Sequence, residues 1–339
     1  MNEKAKAASI YDVAKAAGVS HQTVSRVINN ADNIREETRQ KVLDAMTQLK
    51  YQPNRAARSL ATSRSKLIGV LTSDAGIFSA ENLRLAIDTE TRAEGYFAVA
   101  VRVDGESEES IENAVKQLKE LGIEAIIVIA PQSKVVEVAK RVDPKLPMVT
   151  IDFIDRPDVF SVSIDNYSGA RIATRHLIEQ GHKKILHIAG PKKQFECLER
   201  LRGYKDELQA HGLEPLKIVQ GDWTSETGFN IGNKLASRTK EFTAIFACND
   251  NLAVGLLHAF TAKGINVPKD VSVVGFDDAP ESAYFNPPLT TMHQDFGVVG
   301  RRAVALLFEE LAGVANIRRE QVLPTLTVRK SVAPHPARK

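Results

Sequence analysis

The stretch SIYDVAKAAGVSHQTVSRVIN, residues 9–29, predicts two short helices joined by a tight turn. Ser9 stands three positions before Asp12, which is the spacing of a capping box at a helix start. Gly18 ends the first helix, because a residue without Cβ tolerates the left-handed backbone of a sharp reversal. Ser20 caps the second helix. Two short helices around such a turn are typical of a helix-turn-helix unit.

The outward face of the second helix carries side chains that hydrogen-bond well to base edges. Val24 and Val27 point inward at helical spacing and leave the polar residues outside. Those polar residues are His21, Gln22, Ser25, Arg26 and Asn29. We therefore predict that this helix reads DNA in the major groove. The alternative is an ordinary helical hairpin whose polar face is solvated.

The charge distribution favours the DNA-binding interpretation. Residues 1–65 hold eleven Lys and Arg against six Asp and Glu, while the remaining chain holds 34 basic and 36 acidic side chains. A basic head on a nearly neutral body is the asymmetry expected of a module that binds phosphates.

Length and composition bound the class of protein. A chain of 339 residues, 43% hydrophobic and 26% charged, predicts a globular protein of two or three domains. It has no apolar run of about 18 residues for a membrane span, and its N-terminus lacks the apolar region of a secretory signal. Cys197 and Cys248 are far apart and without CxxC spacing, so we expect neither a disulfide framework nor a zinc site. We expect a cytoplasmic, nucleoid-associated protein without cofactor, metal or membrane contact.

A third helix is predicted over residues 36–50 and would close a three-helix core. Pro53 stops it, and Asn54 can cap a further helix of only about two turns. Since so short a helix is marginal in water, we expect it to be largely unfolded until DNA or a second copy of the chain holds it. A flexible linker is the alternative interpretation.

From Lys66 onward, short apolar runs alternate with helical segments. The runs are 67–71, 97–101, 125–129, 148–151, 185–189, 244–247 and 271–276, and the helices include 80–94, 108–121, 167–180, 198–211, 225–237 and 251–263. This alternation predicts doubly wound parallel sheets with helices on both faces. About 260 residues are too many for one sheet, and the irregular stretch 156–162 indicates a division into two lobes.

Ligands of such folds bind beyond the carboxyl ends of the strands. The polar residues at those positions are Ser73, Asp152, Asn249, Asp250, Asp277 and Asp278, with Arg200 near a helix start and Trp223 after the run 217–219. Carboxylates, an amide, a guanidinium and an indole suit a polyhydroxylated ligand. Each residue alone also has a structural interpretation, as a helix cap, a turn residue, part of a surface ion pair or packing.

The motifs of the chain resemble those of the lactose-repressor (LacI/GalR) family of transcription regulators over nearly its whole length. In the head they are Tyr11-Asp12-Val13-Ala14, Ala17-Gly18-Val19-Ser20, Thr23-Val24-Ser25-Arg26-Val27 and the hinge pattern Tyr51-x-Pro53-Asn54-x-x-Ala57-x-x-Leu60. In the body they are Asn249-Asp250-x-x-Ala253-x-Gly255, DVSVVGFDD (270–278), Pro288-Leu289-Thr290-Thr291, Gly221-Asp222-Trp223 and Gln294-Asp295-Phe296. The chain closely resembles the member that gives the family its name, but the resemblance does not extend to that protein's tetramer-forming tail, so we expect a dimer.

The resemblance implies an all-α helix-turn-helix head and an α/β body with the fold of periplasmic sugar-binding proteins. The implied domains are a DNA-binding head (1–52), a hinge helix with linker (53–65), a first lobe (66–164 with 294–323) and a second lobe (165–293 with 324–333). The third crossing between the lobes is implied near residues 292–294, and the tail returns to the second lobe after Leu323.

The resemblance also assigns roles to residues. The DNA-contacting positions are Tyr11, Ser20, His21, Gln22, Thr23, Ser25, Arg26, Asn29, Asn54, Ala57 and Leu60, with Leu60 wedging into the minor groove. The effector-contacting positions are Ser73, Asp152, Arg200, Trp223, Asn249, Asp277, Gln294 and Phe296. The chain departs from the name-giving member at His21, where that protein has tyrosine, and at Glu196, where it has serine. The second departure argues against a galactoside effector.

We therefore expect a dimeric repressor that binds a near-palindromic DNA operator and is controlled by a small sugar or glycoside between its lobes. One alternative is a corepressor-dependent regulator with a sugar phosphate or nucleobase effector, since the sequence does not fix the sign of control. A sugar-binding receptor without DNA function fits the basic head poorly. An enzyme is not expected, because the chain has no GxGxxG after a strand, no P-loop, no GxSxG and no HExxH.

Overall fold

A computed structural model describes residues 8–28, 33–52, 64–73, 77–130, 132–151, 158–192, 194–314 and 316–335 of the chain. The chain divides into two compact units, Met1–Lys66 and Leu67–Lys339. In the described part of the first unit the helices are α1 (Ile10–Ala17), α2 (His21–Ile28) and α3 (Glu36–Gln48).

The ends of α1 and α2 follow the sequence signals. Ser9 and Asp12 form the predicted capping box, and Gly18 ends α1 in the left-handed conformation with φ of 66°. Ser20 caps α2, since its Oγ accepts from the Thr23 N–H at 3.1 Å. The small core of this unit comes from all three helices and consists of Val13, Ala14, Val24, Val27, Val42 and Ala45. The two caps and this core together fix the angle at which α2 leaves the turn.

The second unit alternates strands and helices. The strands are β1 (Leu67–Thr72), β2 (Phe97–Arg102), β3 (Ala125–Ile129), β4 (Met148–Ile151), β5 (Phe160–Ile164), β6 (Ile185–Ala189), β7 (Val219–Gln220), β8 (Ala244–Ala247), β9 (Ser272–Val274), β10 (Thr291–His293), β11 (Arg319–Val322) and β12 (Thr325–Thr327). The helices are α4 (Ile77–Ala93), α5 (Glu108–Glu120), α6 (Ser133–Val142), α7 (Asn166–Glu179), α8 (Phe195–Ala210), α9 (Ser225–Leu235), α10 (Asp250–Ala262) and α11 (Phe296–Leu311). Single 3₁₀ turns follow at Ala236–Arg238 and Pro280–Tyr284.

One parallel sheet has the strand order β11-β5-β4-β3-β1-β2. Helices α4 and α11 bury their apolar residues on one face of this sheet, and α5 and α6 cover the other. We call this sheet with its four helices the first lobe.

A second parallel sheet has the order β7-β6-β8-β9. Helices α9 and α10 cover one face, and α7 and α8 cover the other; we call this assembly the second lobe. Strands β10 and β12 pair with each other in antiparallel fashion. Between them the chain contributes α11 and β11 to the first lobe. The predicted fold class, a helical head with an α/β body of two doubly wound sheets, is confirmed.

The sequence analysis predicted that the stretch 156–162 is irregular, and this prediction is wrong for its last three residues. Phe160–Ile164 forms a wholly buried strand, β5, between β4 and β11. Ser161 and Ser163 interrupt its apolar pattern, yet both are buried in the sheet. The predicted run 271–276 is a strand only over Ser272–Val274. Within the described ranges, no helix is both long and apolar enough to cross a membrane.

Candidate DNA-reading helix and effector site

The exposed face of α2 carries the predicted base-reading side chains. Ser20, His21, Gln22 and Arg26 are exposed, whereas Thr23 and Ser25 are half-buried. The Tyr11 side chain of α1 is 65% exposed. Its ring lies 5.1 Å from that of His21, so α1 supports the start of α2 on the outer face. The result is a rigid, donor-rich surface on a short helix.

Five of the predicted contact residues lie outside the described residues. They are Asn29, Asn54, Ala57 and Leu60 of the DNA-contacting set and Asp152 of the effector-contacting set.

The centre of the candidate effector site is Arg200 on α8, whose side chain is 4% exposed. Its Nε donates to Asn166 Oδ1 at 2.8 Å, and a terminal N–H donates to the Cys248 carbonyl oxygen. Its Nη1 also lies 3.8 Å from Asp277 Oδ1. The guanidinium carbon lies 3.7 Å from the centroid of the Phe276 ring. A surface ion pair is therefore the wrong interpretation of Arg200.

Asp277 follows β9 in an unusual backbone conformation, with φ of 125°. Gln294 Nε2 donates to its Oδ1 at 2.6 Å. Burial raises the pKa of the Asp277 carboxyl to about 7, against the opposing effects of Arg200 and Gln294. Near neutral pH this carboxyl is therefore balanced between its acid and its carboxylate, and it can either donate or accept.

Asn249 and Trp223 lie beside this pair. Asn249 caps α10, accepting from the Leu252 N–H at 2.9 Å, and its Nδ2 donates to the Trp223 carbonyl oxygen at 3.2 Å. The half-buried indole of Trp223 donates to Gln194 Oε1. Its ring centroid is 5.7 Å from the guanidinium carbon of Arg200. The helix cap thus also holds the segment that carries the indole.

The structure brings together Arg200, Trp223, Asn249, Asp277 and Gln294 from the predicted effector set. Ser73 and Phe296 instead have their described contacts within the first lobe. The Ser73 hydroxyl donates to Gln132 Oε1 at 2.8 Å, and Phe296 belongs to the apolar core under the first sheet.

The adjacent carboxylates of Asp277 and Asp278 serve different groups. Asp278 accepts from Arg329 at 2.6 Å and from Thr327 at 3.3 Å, and it lies 3.0 Å from His293 Nδ1. It therefore ties the turn after β9 to β10 and β12. The buried Asp250 carboxylate holds the same turn, because it accepts from the Ala279 N–H at 3.0 Å and from the Thr291 hydroxyl.

Sequence reasoning missed four groups that shape the site. They are the Asn166 amide, the Gln194 amide, and the buried thiols of Cys197 and Cys248, whose sulfurs are 4.0 Å apart without a disulfide. Asn166 obeys the rule of a polar residue after a strand, but that strand, β5, was not predicted.

The chain matches the family model of bacterial regulatory proteins of the lacI family over residues 9–54 and that of a periplasmic binding protein-like domain over residues 174–332. It is 33% identical over 326 residues to the lactose operon repressor of Escherichia coli (strain K12), covering 96% of this chain and 90% of that protein. It is 34% identical over 337 residues to the HTH-type transcriptional repressor PurR of Haemophilus influenzae (strain ATCC 51907), covering 96% and 98% of the two chains.

Solved structures show the same similarity. A lac repressor dimer bound to operator and the anti-inducer ONPF superposes with a TM-score of 0.88 at 32% identity, over 97% of this chain and all of that one. A complex of the transcriptional regulator CelR with cellobiose gives a TM-score of 0.70 at 29% identity, over 96% and 99%. The relatives named here are transcriptional repressors or regulators.

Proposed function

The chain belongs to the lacI family of bacterial regulatory proteins, and we propose from this premise that it represses transcription as a homodimer on a near-palindromic operator. We further propose that a small sugar or glycoside, bound in the α/β body, controls operator binding. That the chain is a DNA-binding transcriptional repressor, and not an enzyme, follows from its family. The dimer, the form of the operator and the class of effector are the proposal.

For DNA reading, the proposal rests on the exposed face of α2. His21, Gln22 and Arg26 are exposed on a helix whose start is fixed by the Ser20 cap and by the Tyr11 ring. Arginine pairs most often with guanine, while glutamine pairs with adenine in the major groove. Two copies of the head would read two half-sites related by the dimer axis, which calls for a near-palindrome. Asn29, Asn54, Ala57 and Leu60 complete the proposed contact set.

For effector binding, one observation carries the proposal. The buried Arg200–Asp277–Gln294 group lies beside the half-buried indole of Trp223. Paired donors and acceptors next to an aromatic face fit the hydroxyl-bearing edge and the apolar face of a sugar ring. A relative of known structure, CelR, is complexed with cellobiose. Ser73, Asp152 and Phe296 are proposed to contact the same ligand from the first lobe.

Control follows from where Asp277 and Gln294 stand in the chain. Asp277 lies in the turn after β9 of the second sheet, and Gln294 lies between β10 and α11, where the chain passes into the first lobe. A ligand that changes this contact has different affinity for different lobe arrangements, which is the condition for allosteric control.

We propose the domain boundaries 1–52, 53–65, 66–164 with 294–323, and 165–293 with 324–333. We also propose that the protein acts on the nucleoid in the cytoplasm.

The DNA part is tested by selecting ligands for the full-length protein from random double-stranded DNA. A near-palindrome with two equal half-sites is the expected result, and a single asymmetric site would contradict the dimer. The stoichiometry of the complex on the selected DNA, measured by sedimentation, supplies the second readout.

The effector part is tested by a thermal-shift screen against sugars, glycosides, sugar phosphates and nucleobases, because a ligand that binds the folded state raises Tm. Each hit is then added to the operator complex. A sugar or glycoside that lowers operator affinity supports the proposal, and Asp277→Asn should abolish that response while leaving operator affinity near normal. If instead a sugar phosphate or a nucleobase raises operator affinity, the chain is the corepressor-dependent regulator.

A further inference from the structure

Glu196 has a carboxyl group of which one oxygen is left without a hydrogen-bond donor in the described part of the chain. It lies in the first turn of α8, four residues before Arg200 and therefore on the same face of the helix. The residue is half-buried, yet its Oε2 is fully buried and has no hydrogen-bond partner among the described residues. Since buried polar atoms are nearly always hydrogen-bonded, this oxygen points to a donor that arrives with a ligand.

The neighbours of Glu196 do not satisfy this oxygen. The hydrogen bonds of the Arg200 guanidinium go to Asn166 and to the Cys248 carbonyl, and its next neighbour is Asp277. The two thiols, Cys197 and Cys248, face each other. Burial raises the pKa of the Glu196 carboxyl, and a hydrogen bond from its own backbone N–H and the charge of Arg200 only partly oppose this rise.

The charges around the site decide which ligand fits. Two carboxyl groups, Glu196 and Asp277, face one guanidinium that is already hydrogen-bonded. An anionic ligand such as a sugar phosphate or a sugar acid would raise the pKa of both carboxyl groups further, because like charges repel. A ligand with an ammonium group would supply the donor that Glu196 Oε2 lacks and would stabilise the ionised form of this carboxyl.

We propose that Glu196 determines the specificity of the effector site and selects an amino sugar, whose ammonium group donates to Glu196 Oε2. The indole of Trp223 would cover the apolar face of the same ring, and Asp277 with Gln294 would bind its hydroxyls. The inference rests on the proposed function, since it assumes that the effector binds beside Arg200. It narrows the effector from sugars in general to those that carry a basic nitrogen.

Isothermal titration of the full-length protein tests this inference with three probes of one ring type: D-glucose, D-glucosamine and D-glucose 6-phosphate, repeated in the galactose series. In at least one series the amino sugar should bind about tenfold more tightly than the parent hexose, or better, because a charged hydrogen bond replaces a neutral one. The phosphate ester should bind most weakly. Equal or tighter binding of the parent hexose or of its phosphate in both series would overturn the assignment.

The variant Glu196→Gln keeps the size of the side chain and removes its charge, so it should abolish the preference for the amino sugar. The matched control is Glu199→Gln on the same helix, where the carboxylate instead pairs with Arg202 at the surface; this variant should keep the preference. Thermal unfolding without ligand should show Glu196→Gln at least as stable as the parent protein. A preference that survives in Glu196→Gln refutes the role of Glu196.

The test also separates this inference from the proposed function. Neutral hexoses that bind and release the operator, with no advantage for amino sugars, would leave the sugar-controlled repressor intact and remove only the role of Glu196. Binding by none of the probes would overturn the assignment to Glu196, whereas the proposed function would still be decided by the screen of sugars and glycosides.

Discussion

Replacing Asp277 by asparagine should change how the stability of the protein depends on pH. Burial raises the pKa of this carboxyl from 3.8 to about 7. Between these values the folded protein holds a proton that the unfolded chain has lost. The contribution of Asp277 to stability is therefore present at low pH and is lost as the pH rises towards 7.

The size of this change in unfolding free energy follows from the difference of about 3 between the pKa values of the unfolded and the folded protein. Each unit corresponds to about 1.4 kcal/mol, so the parent protein loses up to about 4 kcal/mol of unfolding free energy from this group between pH 4 and pH 7. Asp277→Asn has no titrating group at this position. The unfolding free energy of the variant, relative to the parent, should therefore rise by up to about 4 kcal/mol over the same window. Any constant cost of weakening the Arg200 contact cancels from this slope.

Urea unfolding at several pH values measures the slope, with the fluorescence of Trp223 as the signal, because it is the only tryptophan and lies beside the site. Asp222→Asn is the control. Hydrogen bonds from Thr224 and Thr227 outweigh burial and lower the pKa of Asp222. Its contribution to the unfolding free energy therefore changes below pH 4 and stays constant between pH 4 and pH 7. A difference between Asp277→Asn and the parent that stays constant with pH would refute the raised pKa of this buried carboxyl.

Three further substitutions test the head, the hinge and the floor of the effector site. Arg26→Ala should cost about 1–3 kcal/mol on the selected operator and relax specificity at one base pair; titrations on single-base variants measure this, and an unchanged preference would contradict the role of Arg26. Leu60→Ala should weaken operator binding and reduce DNA bending; an equal bend in circular-permutation gels would exclude the wedge. Gly190→Ala would bring a Cβ to 2.5 Å from Cys197 Sγ, 3.2 Å from Cys248 Sγ and 3.3 Å from Trp223 Cη2. It should therefore destabilise the body by about 1–3 kcal/mol and weaken effector binding. Calorimetry measures both, and operator affinity without effector should not change.

The Gly190 prediction has a rescue control within the chain. Gly190→Ala combined with Cys197→Ala removes the closest of the three contacts and leaves Cys248 Sγ at 3.2 Å and Trp223 Cη2 at 3.3 Å, so effector binding should recover in part. If Gly190→Ala binds the effector as tightly as the parent protein does, the close packing of Gly190 against Cys197 and the indole is refuted.

Local signals in the sequence sufficed where one short stretch determines the structure. The caps at Ser9, Gly18 and Ser20 could be predicted, because each depends on residues within one turn of helix. Most strands of the body could be predicted, because a strand buried on both faces is a continuous apolar run. Strand β5 was missed because its two serines interrupt the apolar run. Their hydroxyls are buried by neighbouring strands, which the local sequence does not show.

The contacts of the effector site depend on distant parts of the chain, and the sequence does not show them. Cys197 and Cys248 are 51 residues apart, yet their sulfurs lie 4.0 Å apart, because β6 and β8 are neighbours in the sheet. Sequence position did place Arg200, Asn249 and Asp277 at one edge. It could not show that Arg200 would donate to a backbone carbonyl, or that one oxygen of Glu196 would be left without a donor among the described residues.

The central claim is that a ligand of the body and the operator bound by the head act on one shared equilibrium. Such coupling is reciprocal: the factor by which the ligand changes operator affinity equals the factor by which the operator changes ligand affinity. The most direct test titrates a ligand found by thermal shift into the free protein and into the protein saturated with operator. We expect the two dissociation constants to differ by about 5- to 150-fold, matching the change in operator affinity. Identical constants would contradict the claim.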